Sequence, residues 1–399
     1  MTTEVHQLAE DRSGAVETAS PEPSKTDSEA KVLVASQWAL MWRKFRKHRL
    51  AMLGGAVTIL IYVIVIFAEF LAPFEPVAFS SKFTYAPPQP LHLFDRTEEG
   101  LRFAPYVNGY AVELDEVALK RTFVVDEEQK IPVSFFVHGS PYSFWGLFET
   151  DIHLIGPAEY DGDPDRVLMP MYLLGADRLG RDVLSRIIFG ARISMTIGLV
   201  GVALSFIIGL TLGGLSGFYG GWVDNTIQRV IELLRSMPTT PLWMGLAAAL
   251  PSSWTPIQVF FGITVLLSLI GWTGLARVVR GRFLSLRTED FVLSARLDGN
   301  STLRIIGVHM IPSFASHIIA SLTLSIPGMI LAETALSFLG LGLRPPIVSW
   351  GVLLQEAQNI RSVSMAPWLL YPGVAVIIAV LALNFLGDGL RDAADPYGR

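Results

Sequence analysis

The chain has 399 residues, of which 51% are hydrophobic and only 17% charged, with a formal net charge of -5. Soluble domains carry about 25% charged residues, so this balance excludes an ordinary water-soluble domain and points to a lipid solvent. The chain has no cysteine, which excludes disulfides, thiolate metal sites and cytochrome-type haem attachment.

Met1–Lys31 is polar and acidic, with a Pro21-Glu22-Pro23 break. It cannot bury enough apolar area to offset its ordering entropy, so a disordered tail over 1–35 is expected. Arg43–Arg49 reads RKFRKHR and precedes the apolar stretch Leu50–Ala72. That stretch has about the 20 residues that cross a bilayer and no small-residue cleavage site, so it reads as a retained span and not as a signal peptide. Basic run and span together form an N-terminal module over 36–73.

Residues 74–175 are too long for an ordinary loop and are strongly acidic. A small α/β or β-rich insertion is expected there. Thr122–Val125 and Val133–Val137 have strand composition, and Tyr85–Pro90 is an extended proline-rich lead-in. The aromatics Phe135, Phe136, Tyr142, Phe144, Trp145 and Phe148 admit two readings. They could form a platform for a partner or a docked binding protein, or the core of a cap packing on itself, which is the commoner use of such clusters. His92, His138 and His153 match no metal-ligand spacing. Asp161–Asp165 resembles half a calcium loop but lacks its glycine and terminal glutamate, and reads as a turn.

Beyond the insertion, 176–399 carries five more apolar stretches, for six spans in all. They are Ile193–Gly214, Ile231–Leu250, Ile257–Ala276, Phe314–Leu331 and Trp368–Leu386. Each must be helical, because lipid offers no partner for a free N–H or C=O. The stretch at Ile231 is the least regular, with Glu232, Arg235 and Pro238 at its start. Val183, Leu184, Ile187 and Ile188 share a face, as in an interfacial helix leading into the second span. Gly213, Gly214 and Gly217 give that span a small-residue face. The Lys/Arg bias puts Arg43–Arg49 and the 277–312 loop on the cytoplasmic side, with both termini inside and the insertion outside. Glu69, Glu333 and Asp388 lie near span ends, where Glu69 is expected to reach water; none is at mid-membrane, which argues against a proton-relay carrier.

The 277–312 loop has a definite local pattern. Thr288 can cap a helix whose first turn holds Glu289 and Asp290, and Gly299 supplies a left-handed stop. Ser301 can cap a second helix that Pro312 limits, with Leu303, Ile306, Gly307 and Met310 on one face. Such a pair could be a lever seated in a soluble partner, or a helix lying on anionic headgroups.

The segment Phe291–Pro312 resembles the coupling-loop signature of permeases in ATP-binding-cassette importers, E-A-A, three residues, glycine, nine residues, I-x-L-P. Ser294, Ala295 and Gly299 hold the alanine, alanine and glycine positions, and Ile311-Pro312 the end; Leu293 and His309 depart from the pattern. Leu174–Ser194, Phe338–Pro346 with Ser349-Trp350-Gly351, and Asn384–Asp392 are similar to segments of dipeptide and oligopeptide permeases, specifically their second, C-type subunit. The resemblance implies an all-α polytopic fold with six transmembrane helices of the importer permease type. It implies coupling to an ATPase through Ser294, Ala295, Arg296, Asp298, Gly299 and Pro312, the small residues admitting a close partner and Arg296 and Asp298 bonding at the rim. It also marks Asp177, Gly180, Arg181 and Asp182 as a family motif before the second span, with a structural role in which Asp182 neutralises Arg181 or Arg186.

The expected function is half of the pore of an ATP-driven peptide importer in a bacterial inner membrane. Expected partners are a homologous permease, two ATP-binding-cassette ATPase subunits, an extracytoplasmic substrate-binding protein and membrane lipid, with no nucleic acid. The chain has no G-x-x-x-x-G-K-[ST] sequence, so it is expected to bind no cofactor and not to be an enzyme, ATP and Mg²⁺ belonging to the ATPase partners. A nickel or other small-solute importer of the same family, a secondary transporter and a membrane-anchored scaffold are the competing readings.

Overall fold

The computed structural model describes residues 37–97, 100–115, 120–158, 171–251 and 253–394. The tail expected over Met1–Lys31 and the Asp161–Asp165 turn lie outside them.

A short helix, α1 (Gln37–Lys47), buries Met41 and Phe45 against Ala51 and Ala393 and leaves Arg43, Lys44 and Arg46 exposed. His48 then caps α2 (Arg49–Ile66) by accepting from the Ala51 amide at 3.2 Å. A one-turn helix, α3 (Ala68–Leu71), continues it. Among the described residues five helical stretches are long and apolar enough to cross a membrane: α2, α4 (Val183–Tyr219), α7 (Pro256–Leu286), α11 (Ala315–Phe338) and the stretch Pro367–Ala394, which contains α14 (Tyr371–Ala394). The interfacial helix expected before the second span is not separate: α4 runs unbroken through it.

Close packing explains why several of these helices are rich in glycine. A Cβ on Gly54 would meet the Ala382 carbonyl, so α2 lies directly on α14. Gly209, Gly213 and Gly217 of α4 face Trp272, Ala276 and Phe283 of α7 in the same order. The small-residue face expected on the second span is thus the seam between two parallel neighbours.

The third expected span, Ile231–Leu250, is not one helix. The chain forms α5 (Gly221–Ser236) and α6 (Thr239–Ala248), parted at Met237–Pro238. Proline removes an N–H and drives its predecessor out of the helical region, and Met237 is extended, at φ -92° and ψ 140°. The two pieces still span the length of α7. Asp224 of α5 pairs with Arg280 near one end of α7, while Leu250 reaches Gly262 near the other. The third expected span thus runs alongside α7 as a broken helix, and α1 and the end of α14 pack together at the same end.

At that end the 277–312 loop is more helical than expected. α7 runs to Leu286, and α8 (Asp290–Leu297) starts with Glu289 at its cap. Thr288 does not cap it; its hydroxyl donates to the Ser285 carbonyl. After Gly299 come α9 (Thr302–Arg304), a π-helical stretch Ile305–Met310, and α10 (Ile311–Ser313). Pro312 does not end this run; Phe314, at φ -130°, does. The wider winding also resets the buried face. Ile305 and Met310, five residues apart, point inward, while Leu303 and Gly307 are exposed.

At the opposite end lies a four-stranded antiparallel meander, β1 (His92–Thr97), β2 (Gly100–Asp115), β3 (Lys120–Phe144) and β4 (Phe148–Pro157), in the order β1-β2-β3-β4. The long β3 pairs with β2 through its first half and with β4 through its second. Its core is Phe74, Val107, Ile131, Val133 and Met171. The aromatic cluster is not that core: Phe135, Phe136, Trp145 and Phe148 are exposed. Gln89 ties the proline-rich lead-in to the sheet, donating to the Asn108 carbonyl and accepting from the Tyr172 amide.

Candidate functional site

Two clusters contain the site residues expected from the sequence, one at each end of the bundle. At the α8 end, Val292 and Ala295 are buried against Val279, Phe283, Ile305, Met310 and Phe314. Ser294, Arg296, Asp298, Gly299 and Pro312 are exposed. Ala295 is therefore small for the sake of its own bundle and is unavailable to a partner. Gly299 has φ +75° and nothing within contact of an added Cβ. Its requirement is conformational: the turn returns the chain at once, with the Asn300 amide and side chain both donating to the Ala295 carbonyl. Arg296 stacks over the Phe218 ring at 4.8 Å and so fastens α8 to the last turn of α4. The outward surface is apolar, with Leu297 89% and Leu303 79% exposed, flanked by Phe291, Leu293 and Val308.

At the other end, the motif residues close a compact ion-pair cluster. The Asp177 carboxylate accepts from the Leu179 and Arg181 amides and from Arg181 Nε at 2.6 Å, and it lies 3.4 Å from Arg186 Nε. Arg181 and Arg178 also reach Glu356, each at 3.4 Å. The expected neutralising role of Asp182 thus belongs to Asp177. Asp182 caps α4, accepting from the Ser185 amide at 2.7 Å. Burial pushes its carboxyl up to about 6, with smaller opposition from Ser185 and the Leu184 amide. Burial likewise raises Glu356. Gly180 sits at φ +73° with the Ser80 carbonyl where a Cβ would be, so only glycine fits. These contacts bind the insertion's base, the start of α4 and the 349–365 region into one junction.

A third polar centre gathers around Glu333, which the sequence marks only as an acid near a span end, without its serine partners. Glu333 of α11 is fully buried and accepts from Ser194 at 3.2 Å, Ser337 at 2.8 Å and Ser349 at 2.8 Å. Ser349 also caps α12 (Trp350–Gln355), and Trp350 donates its ring N–H to the Ile187 carbonyl. The signal available was a lone glutamate with serine four residues on, where both can face one way on a helix. Glu69 differs from expectation as well: it does not simply meet water but holds Arg192 through both oxygens, at 2.5 and 2.6 Å.

The histidines of the insertion have local partners. His138 bonds Asp151 at 2.9 Å, His92 stacks on Tyr106, and His153 is buried between the Ala72 and Ser140 carbonyls. Among the described residues no group of three or more histidines and carboxylates could hold a metal ion.

Comparison with known proteins adds family evidence to this geometry. Residues 209–397 match the binding-protein-dependent transport system inner membrane component, and 36–88 match the N-terminal TM domain of oligopeptide transport permease C. The chain is 38% identical over 225 residues to the dipeptide transport system permease protein DppC of Bacillus subtilis, covering 56% of this chain and 68% of that one. It is 40% identical over 269 residues to the oligopeptide transport system permease protein OppC of Haemophilus influenzae, covering 67% and 82%. A solved structure of the MetNI methionine ABC transporter in inward-facing conformations aligns with TM-score 0.42 at 18% identity, over 53% of this chain and 96% of that one. The family-model matches, with the identity and coverage of the dipeptide and oligopeptide permeases, mean that the chain belongs to the dipeptide and oligopeptide permease family of binding-protein-dependent inner-membrane transport components.

Proposed function

We propose that this chain forms half of the translocation pore of an ATP-driven peptide importer, and that the α8–α10 hairpin receives the stroke of a partner ATPase. Supporting this is the combination at that hairpin of an exposed apolar ridge and a buried anchor. Leu297 and Leu303 stand outward, while Val292, Ala295 and Met310 pack on Phe283 and Phe314 of the bundle. A partner closing on the ridge would move α7, α11 and, through Arg296 and Phe218, α4 together. Such closure drives a transition only by contacting one conformation better than the other.

The orientation follows from charge. With Arg43–Arg49 held inside, the hairpin and both ends of the described chain are cytoplasmic, and the sheet is outside. ATP and Mg²⁺ would be held by two ATPase subunits, a homologous permease would complete the pore, and an external binding protein would deliver the substrate. The curated relatives are named for dipeptides and oligopeptides, and peptides are the substrate class assigned here.

The test is purification of the tagged chain from native membranes in mild detergent, with identification of what comes with it. An ATP-binding-cassette ATPase and a second permease are expected, with ATP hydrolysis stimulated by a peptide-loaded binding protein. Recovery of the chain alone, in a detergent that preserves such complexes, would overturn the proposal.

A further inference from the structure

The tip of the β3–β4 hairpin is the five-residue run Phe144-Trp145-Gly146-Leu147-Phe148, which carries no charge. It does not cover the sheet's core. It leans on the far end of the first crossing: Trp145 donates its ring N–H to the Ile66 carbonyl at 2.9 Å, and Phe144 meets Phe67 with ring centroids 5.8 Å apart. Farther up the same sheet, Phe136 meets Phe70 at 6.1 Å.

The depth of that contact decides what surrounds it. α2 starts at Arg49, the last residue of the basic run, and Ile66 is its final residue. At 1.5 Å per residue the two are roughly 26 Å apart along the helix. The hydrocarbon core is about 30 Å thick and the headgroup layers extend the bilayer to about 40–45 Å. With Arg49 at one headgroup boundary, the hairpin tip stands at the other and not above the membrane. The exposed side chains there are apolar: Leu147 is 79% exposed, and Trp145 and Phe148 are exposed too. They continue the exposed stripe of α2 formed by Ile59, Val63, Ile66 and Phe67.

Polarity then switches within a few residues. Glu149 follows Phe148, and the His138–Asp151 pair lies on the next rungs, so a charged collar stands above an apolar tip. The tip's backbone is largely closed on itself, with the Leu147 amide bonded to the Phe144 carbonyl at 2.9 Å, as entry into an apolar medium requires. Trp145 is held at φ +51°, a costly conformation for a bulky residue. Its indole is fixed by the Ile66 bond and by the Arg192 guanidinium 4.6 Å above its ring, itself paired with Glu69.

We propose that the β3–β4 hairpin is a lipid anchor, with Trp145, Leu147 and Phe148 seated in the bilayer interface beside the first crossing. The proposal rests on the membrane placement of α2. The occupant is lipid because the tip lies at headgroup depth, extends a lipid-exposed helix stripe, and carries the tryptophan–phenylalanine–leucine chemistry of interfacial belts.

The chain has no cysteine of its own, so one label site can be introduced into it, in a complex whose partner chains are kept cysteine-free. The intact complex, carrying Leu147→Cys with a nitroxide label, is reconstituted into vesicles of phosphatidylethanolamine and phosphatidylglycerol. Collisions with oxygen and with a water-soluble nickel chelate are then measured. Leu60→Cys on the exposed face of α2 and Glu149→Cys on the collar are the references. The expected oxygen-to-nickel ratio at Leu147→Cys lies between the two references, roughly threefold or more above that at Glu149→Cys and below that at Leu60→Cys, which stands near mid-bilayer. A nickel-dominated signal at Leu147→Cys, with Leu60→Cys still oxygen-dominated, overturns the anchor alone. A nickel-dominated signal at Leu60→Cys overturns the membrane placement itself. Low collision with both reagents at Leu147→Cys means that a protein neighbour covers the tip, which also overturns lipid as the occupant. Phe148→Cys serves as the reporter if Leu147→Cys fails to assemble.

Discussion

Asp182 performs two tasks that pull its proton in opposite directions. As the cap of α4 it is favoured in the charged form by the Ser185 amide, while burial favours the neutral form and holds its value near 6 against an ordinary 3.8. The difference corresponds to about 3 kcal/mol disfavouring the folded, charged state at neutral pH. Because the folded value is the raised one, the folded state binds more protons between pH 3.8 and about 6. Stability therefore falls as pH rises through that window, and the whole cost is present above it. Asp182→Asn keeps an oxygen for the cap and removes the charge. Its thermal midpoint in detergent should exceed the parent's at pH 7.5, with the gap shrinking as pH falls from 6 towards 4. A gap that does not change with pH would refute this account. Sequence alone misassigned the pairing here. Arg181 and Asp182 are neighbours in the chain and point apart, whereas the turn at Gly180 brings Asp177 back under Arg181.

The helical hairpin at 289–314 shows which part of an element a sequence can reveal. Gly299 was legible, because a left-handed stop between two helical patterns leaves little choice. The inner face was half legible. A period of 3.6 groups Leu303, Ile306, Gly307 and Met310, of which Met310 is buried and Ile306 half-buried, but the π-helical turn leaves Leu303 and Gly307 exposed and turns Ile305 inward, and nothing in the composition announces the extra residue. The roles of the two faces can be separated by mutation. Gly299→Leu meets no neighbour but must adopt φ +75°, at roughly 1–2 kcal/mol. It should uncouple ATP hydrolysis from transport or release the ATPase, with insertion into the membrane intact, while Gly299→Asn should stay close to the parent. Leu297→Asp changes only the exposed ridge. It should lower ATPase copurification by about tenfold or more with an unchanged thermal midpoint, one lost hot-spot contact being worth about 2 kcal/mol. Retained peptide-stimulated hydrolysis in Gly299→Leu would count against the hairpin as the coupling element.

At the scale of the molecule, five of the six expected spans correspond to long apolar helices, and the third lies where hydropathy is blind. The third stretch contains Pro238 and forms two helices, the first of them carrying Asp224, Arg229, Glu232 and Arg235. The sheet was legible as β-rich, yet its aromatics were left between a core and an exposed platform, because composition cannot tell a buried ring from an exposed one. What fixes the bundle is the glycine seam between α4 and α7. At Gly213 an added Cβ would stand 2.5 Å from the Ala276 carbonyl, a backbone atom that cannot yield. Gly213→Leu should therefore remove most monodisperse protein from size-exclusion profiles of detergent extracts, whereas Gly214→Ala, 3.4 Å from the Phe283 ring, should elute like the parent.

α4 has 37 residues and no proline, which makes it about 55 Å long against a hydrocarbon thickness of about 30 Å. A strut of that length projects past the hydrocarbon at its ends and, with no proline to hinge it, moves as one rod. Rocking it by 5° about its centre would swing each end by roughly 2.4 Å, in opposite directions. One end carries Phe218, under Arg296 of the hairpin, and the other carries Asp182, beside the Asp177–Glu356 cluster. A push received below would thus arrive above with its direction reversed, while the neighbouring α5–α6 pair, jointed at Met237–Pro238, can give way to let the strut pass.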